Sequence, residues 1–160
     1  MDRHRLFVWR RHTTIILSIG VVLILVGLVA SFVASHFKPT TEVRLGSGVF
    51  GLDKADTEAT RTQGLSGVKK LGPNEGMLFV FDTNDTHGIW MKDMNIPLDI
   101  IWLNESKKVV YIVKNAPPED VVKTIYSPKD AARYVIELSA GSVQKAGIKT
   151  GDTANFKLDV

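Results

Sequence analysis

Chemistry, if this chain performs any, concentrates between His87 and Asp99, where polar and aromatic residues sit inside an otherwise apolar stretch. Trp90, Lys92, Asp93 and Asp99 flank segments that read as strands rather than a solvated tail. In an extended segment, Trp90 and Lys92 share one face and Met91 takes the other. A tryptophan beside a cation and a carboxylate could wall a ligand cleft. The same residues could also be a buried indole, a surface lysine and two turn-forming aspartates. Asp93 and Asp99 could act as an acid–base carboxylate pair, with His87 as a third group. Two aspartates flanking Pro97 are also common turn chemistry.

Metal and nucleophile chemistry have little to work with. The chain has no cysteine, which excludes disulfides, a thiol nucleophile, thiolate metal sites and a lipidated cysteine anchor. Beyond His36, His87 is the sole histidine, and zinc sites take three or four ligands. Asp82, Asn84, Asp85 and His87 could offer ligands to a hard cation, but Gly88 falls one position late for a calcium loop. No nucleophile elbow, phosphate loop or dinucleotide fingerprint occurs, so no metal or cofactor is expected.

The elements that must position these residues begin after an apolar block. Thr13–Ser35 contains no charge, and as a helix it would span about 34 Å, enough for a hydrocarbon core of about 30 Å. Arg3, Arg5, Arg10 and Arg11 precede it. They place the first 13 residues in the cytoplasm, a transmembrane helix over 14–35, and everything after it outside. A cleaved signal peptide ending near Val33-Ala34-Ser35 is the rival reading, and it exports the same domain. The net charge of +3 lies wholly in the tail, since acids and bases balance from His36 onward. A nucleic-acid partner is therefore not expected.

Residues 36–42 read as a linker, and 43–160 as an exported β-rich domain. Strands are predicted over Glu42–Leu45 and Val49–Leu52, kinked or joined at Gly46-Ser47-Gly48, and over Met77–Phe81. Leu98–Leu103 with Val109–Val113 makes the clearest hairpin, and Tyr134–Leu138 and Thr153–Leu158 are further strands. Asp82–Gly88 reads as a polar connection. Short helices are predicted from Asp56 or Thr57 to about Leu65, and over Ser142–Ala146. Such a pattern indicates a mainly β fold, a β-sandwich or rolled barrel with two short helices, behind one transmembrane helix.

Several ordered stretches resemble the bacterial and archaeal family called domain of unknown function, number 192. They include Arg61-Thr62-Gln63-Gly64-Leu65, Glu75-Gly76-Met77-Leu78-Phe79-Val80-Phe81, Trp90-Met91-Lys92-Asp93, Ile96-Pro97-Leu98-Asp99-Ile100 and Tyr134-Val135-Ile136-Glu137-Leu138. Ala116-Pro117-Pro118 and the run from Gly147 to Asp152 complete the match, which covers about residues 43–158. The resemblance implies a compact, mainly β domain behind an export signal or anchor, and no established reaction. Carried over position by position, it makes Arg61, Trp90, Lys92, Asp93, Asp99 and Glu137 candidates for a shared ligand site. Alternatively, Arg61, Asp99 and Glu137 form a structural charged network. Two departures stand out: Ser66 where the family more often has methionine, and Asp93-Met94 where Asn-Thr is usual.

The leading expectation is a noncatalytic module of the cell membrane's outer face, binding an envelope protein or glycan. A carboxylate-dependent hydrolase or lyase using His87, Asp93 and Asp99 is the second reading. A structural or assembly role is the third.

Overall fold

Val43 and Leu45 alternate with exposed residues, as do Phe50 and Leu52, so two short strands each turn one face inward. They are β1 (Thr41–Leu45) and β2 (Gly48–Ala55), joined as a hairpin by the two residues Gly46 and Ser47. Gly46 has φ of 59° and lies against the Ala146 carbonyl, so only glycine fits there. The computed structural model describes residues 40–158 together with Val22, Ile24 and Leu25, and these three are helical. Thr40–Val160 forms a compact unit of its own. Among the described residues no helix is long and apolar enough to cross a membrane. Apart from those three residues, the expected span over 14–35 lies outside the described residues, as do the basic tail and most of the linker.

Beyond β2 the chain must cross over, because the next strand pairs with β2 in parallel. The crossover carries α1 (Glu58–Gln63), which starts at a reciprocal cap. Thr57 Oγ1 accepts from the Thr60 amide at 3.2 Å, and Thr60 Oγ1 accepts from the Thr57 amide at 3.0 Å. No residue of α1 is buried. Then β3 (Glu75–Asp85), β4 (Ile89–Trp90), β5 (Leu98–Leu103), β6 (Val109–Ala116), β7 (Ile125–Tyr126), β8 (Ala132–Ser139) and α2 (Ser142–Lys145) follow.

A six-stranded mixed sheet results, in the order β1-β2-β3-β8-β5-β6, beside a two-stranded sheet of β4 and β7. Apolar side chains cover both of its faces. Leu78, Ile101, Leu103, Ile136 and Leu138 belong to one core cluster, and Phe79, Leu98, Ile100, Trp102 and Val135 to the other. All six residues of β5 are buried, as a strand covered on both faces requires.

The mainly β fold with two short helices is as expected, but the sheet does not close into a barrel. The expected last strand over Thr153–Leu158 forms only single bridges, Thr153 to Lys108 and Asn155 to Arg44. Those bridges touch both edges of the sheet and satisfy backbone groups that would otherwise invite another chain. The expected polar connection after Phe81 also differs. β3 continues through Asp85, with a register break between Val80 and Asp85, because pairing with β8 overrides the polar composition of its exposed end.

Gly76 lies between Leu52 of β2 and Leu138 of β8 in the sheet register. A methyl group there would run into the Glu137 carbonyl oxygen and both leucine side chains. Gly76→Ala should therefore lower stability by about 1–3 kcal/mol. Urea unfolding should show this as a lower midpoint at unchanged slope.

Candidate functional site

Arg61, in the last turn of α1, ties that exposed helix to the sheet. Its Nη1 donates to the carbonyls of Asp56 (2.8 Å) and Val80 (2.9 Å), and Nη2 stands 3.5 Å from Asp82 Oδ2. The guanidinium lies 5.4 Å from the Phe81 ring centroid. Phe81 in turn stacks on His87 at 3.7 Å, nearly parallel. His87 Nε2 is 2.9 Å from the Thr83 carbonyl. The row Arg61, Phe81, His87 is thus held from both ends.

Between α1 and the sheet there is a cavity of about 170 Å³. Its walls include Arg61, Leu65, Phe79, Phe81, Trp90, Met94 and Glu137. Ser66 and Met94 both line it. Glu137 sits in mid-β8, opposite Met77 of β3 on one side and Ile100 of β5 on the other. It is only 4% exposed, and its Oε2 has no hydrogen-bond partner in the protein. Burial away from any compensating charge pushes the carboxyl up to about 8, so at neutral pH it is mostly the uncharged acid.

Asp99 contrasts with Glu137. It pairs with Leu138 across β5 and β8, so its side chain points to the opposite face of the sheet from Glu137. Oδ1 accepts from the Asn115 amide at 2.9 Å, and Oδ2 from the Val143 amide at 2.8 Å. Asn115, at φ of 53°, is in a bulge that sets two β6 residues against Asp99 alone. Val143 is in the first turn of α2, whose own cap residue, Gly141, has no side chain to offer. Asp99 therefore organises the bulge and the helix start. The expected network of Arg61, Asp99 and Glu137 does not form.

Trp90 is 40% exposed, so it is not the buried tryptophan of the alternative reading; that place belongs to Trp102, whose Nε1 donates to the His87 carbonyl. Trp90 and Lys92 are both exposed, and Met91 between them is fully buried, as the strand reading predicts. Trp90 also lines an open groove with Lys92 and Asp93 that shares Glu58, Thr62, Gln63 and Ser66 with the cavity. Lys92 Nζ is 3.4 Å from Asp93 Oδ2. Asp93 adopts φ of 57°, donates its amide to the Glu119 carbonyl at 2.7 Å and accepts from the Gly67 amide at 2.9 Å. The structure thus gathers Arg61, Trp90 and Glu137 at the cavity and Trp90, Lys92 and Asp93 at the groove. Neither His87, Asp93 nor Asp99 lines the cavity.

Sequence reasoning missed the cavity residues Leu65, Phe79, Phe81 and Met94. Phe79 and Phe81 alternate within the β3 run, and that spacing was the available signal. It also missed Glu119, whose carboxylate accepts from the Lys123 and Thr124 amides and is thereby held below its ordinary range. Among the described residues no group of His, Cys, Asp and Glu is placed to hold a metal ion.

A family model, DUF192, described as Uncharacterized ACR, matches residues 41–156. A UPF0127 protein of Thermococcus kodakarensis is 35% identical over 104 residues, which is 64% of this chain and 62% of that protein. A UPF0127 protein of Thermococcus gammatolerans is 33% identical over 107 residues, 66% of this chain and 65% of its own length. Each match thus spans less than two thirds of the relative. A crystal structure from Sinorhizobium meliloti with a provisional transcription-regulator name superposes at TM-score 0.69, 29% identical, over 73% of this chain and 93% of that one. A Novosphingobium aromaticivorans protein of unknown function superposes at TM-score 0.66, 32% identical, over 72% and 83%.

Glu137 makes stability depend on pH. The unfolded chain releases this proton near 4.5, whereas the folded protein keeps it to about 8. Stability present below 4.5 is lost as pH rises through this window, by a few kcal/mol in total. Asp56, lowered chiefly by its bond to Lys54, and Glu119 act only at lower pH. Denaturant unfolding from pH 5 to 8 should therefore show falling stability in the wild type and a much flatter profile in Glu137→Gln. Equal slopes would contradict the assignment.

Proposed function

This chain belongs to the DUF192 family, and we propose that its domain is a noncatalytic binding module of the cell envelope that takes a small envelope component into the cavity beside α1. The single observation that carries this reading is the Glu137 carboxyl. It lines a cavity walled in part by Leu65, Phe79, Phe81, Trp90 and Met94, with an oxygen that nothing in the protein engages. Ligand sites combine apolar walls with a few placed polar groups in this way. A buried polar group without a partner destabilises a fold, so its presence in a cavity wants a reason outside folding.

The tail arginines and the uncharged segment 14–35 support an anchored domain on the outer face of the membrane. The balanced charge after His36 supports an uncharged or locally polar ligand over a nucleic acid. A hydrolase or lyase would need a second acid–base group at Glu137. Asp99, facing away and holding two amides, does not supply one.

Thr62 is exposed at the cavity edge, so a large residue there should plug the opening and leave the core intact. Full-length protein extracted from membranes should carry a small molecule detectable by native mass spectrometry, and Thr62→Trp should lose it. An unliganded wild type after gentle extraction would count against the binding reading. For the location, protease added to intact cells should digest the domain and spare the first ten residues. Protection of the domain would contradict an outer-face position.

A further inference from the structure

Ligand chemistry can be read from the cavity itself, and this step rests on the binding reading above. A carboxylate confined between Met77 and Ile100, without a paired cation, has strong reason to remain the neutral acid. A neutral carboxylic acid presents an O–H donor. Arg61 brings positive charge to the wall, and its guanidinium bonds to two carbonyls and Asp82 rather than to Glu137. Glu58 on the same helix brings the opposite charge, so the buried Glu137 O–H decides the preference: an acceptor oxygen can meet it and an organic cation cannot.

We infer that the cavity takes a small, largely apolar molecule of about one aromatic ring whose polar end is an acceptor oxygen, a carbonyl or carboxylate, received by the O–H of Glu137. The size follows from the volume. A cavity of about 150 Å³ suffices for benzene, and this one measures about 170 Å³. The charged groups lining it are Glu58 and Arg61 of α1. The side chains contributed by β3 and β4 are Phe79, Phe81, Ile89 and Trp90, none of which titrates in the working range. His87, stacked on Phe81, lies outside the lining. Glu137 is therefore the group whose titration should govern binding near neutral pH.

Three probes of one size separate the possibilities: benzamide, benzoate and benzylammonium, titrated by NMR into the full-length chain. Benzamide or benzoate should shift resonances of the cavity residues, and benzylammonium should not. Which of the two binds more tightly distinguishes a neutral carbonyl ligand from an anionic one. Affinity should fall about tenfold between pH 7 and pH 9 as the acid ionises. Glu137→Gln keeps an N–H donor, so it should retain binding and lose the pH dependence, whereas Glu137→Leu should lose binding. Chemical-shift dispersion of both variants verifies their folding. Preference for benzylammonium, with affinity rising with pH and lost in Glu137→Gln, would overturn the acceptor assignment and leave the binding module standing. Binding of none of the three would overturn the ligand assignment, and the binding module falls with it only if the wild type is also unliganded after gentle extraction.

Discussion

A charged group cannot leave the middle of a sheet that is covered on both faces, and that confinement governs the domain. β8 is hydrogen-bonded to β3 on one side and β5 on the other, with apolar clusters above and below. A side chain at position 137 cannot swing to an edge of the sheet, and it meets only the cavity beside α1. A glutamate there must be neutral, paired or destabilising, and Arg61, the cation that lines the same cavity, bonds to Asp56, Val80 and Asp82 instead.

Two buried carboxyl groups on adjacent strands meet opposite fates because strand alternation sends them to opposite faces. Asp99 and Glu137 are one register step apart. Asp99 meets backbone amides, from a bulge and from a helix start, that have no better acceptor. Its burial is thereby compensated and its role is organising the fold. Glu137 meets a cavity. On its side, the crossover helix α1 buries no residue and is tied to β3 through the bond of Arg61 to the Val80 carbonyl. The space between them stays open where a fold optimised for packing alone would fill it. Arg61 and Phe81, stacked in a row with His87, form part of its wall.

Much of the fold was legible in the residues. The hairpin of β5 and β6, the Thr57-capped helix, and the strands around Phe79 and Ile136 followed from apolar runs and turn chemistry. What was not legible depended on pairing between distant segments. The polar residues Asp82–Asp85 join a strand because β8 offers a partner, and Thr153–Leu158 fails to become one because it meets the two sheet edges at single points. Likewise Trp90, Lys92, Asp93 and Asp99 lie close in sequence yet divide among a cavity, a groove and the far face. Residue spacing specifies the face of a strand but not what covers that face. Glu137 entered only through family resemblance, since a lone glutamate in an apolar run has no local signature separating a site from a buried pair.

The most direct measurement is the ionisation of that one carboxyl. Carbon-13 NMR of the full-length chain, with the Glu137 side chain assigned by comparison with Glu137→Gln, follows its resonance against pH. A midpoint near 8 is expected in the unliganded protein. A midpoint in the ordinary glutamate range near 4.5 would mean that the cavity already compensates the charge, and the account of this site would fail.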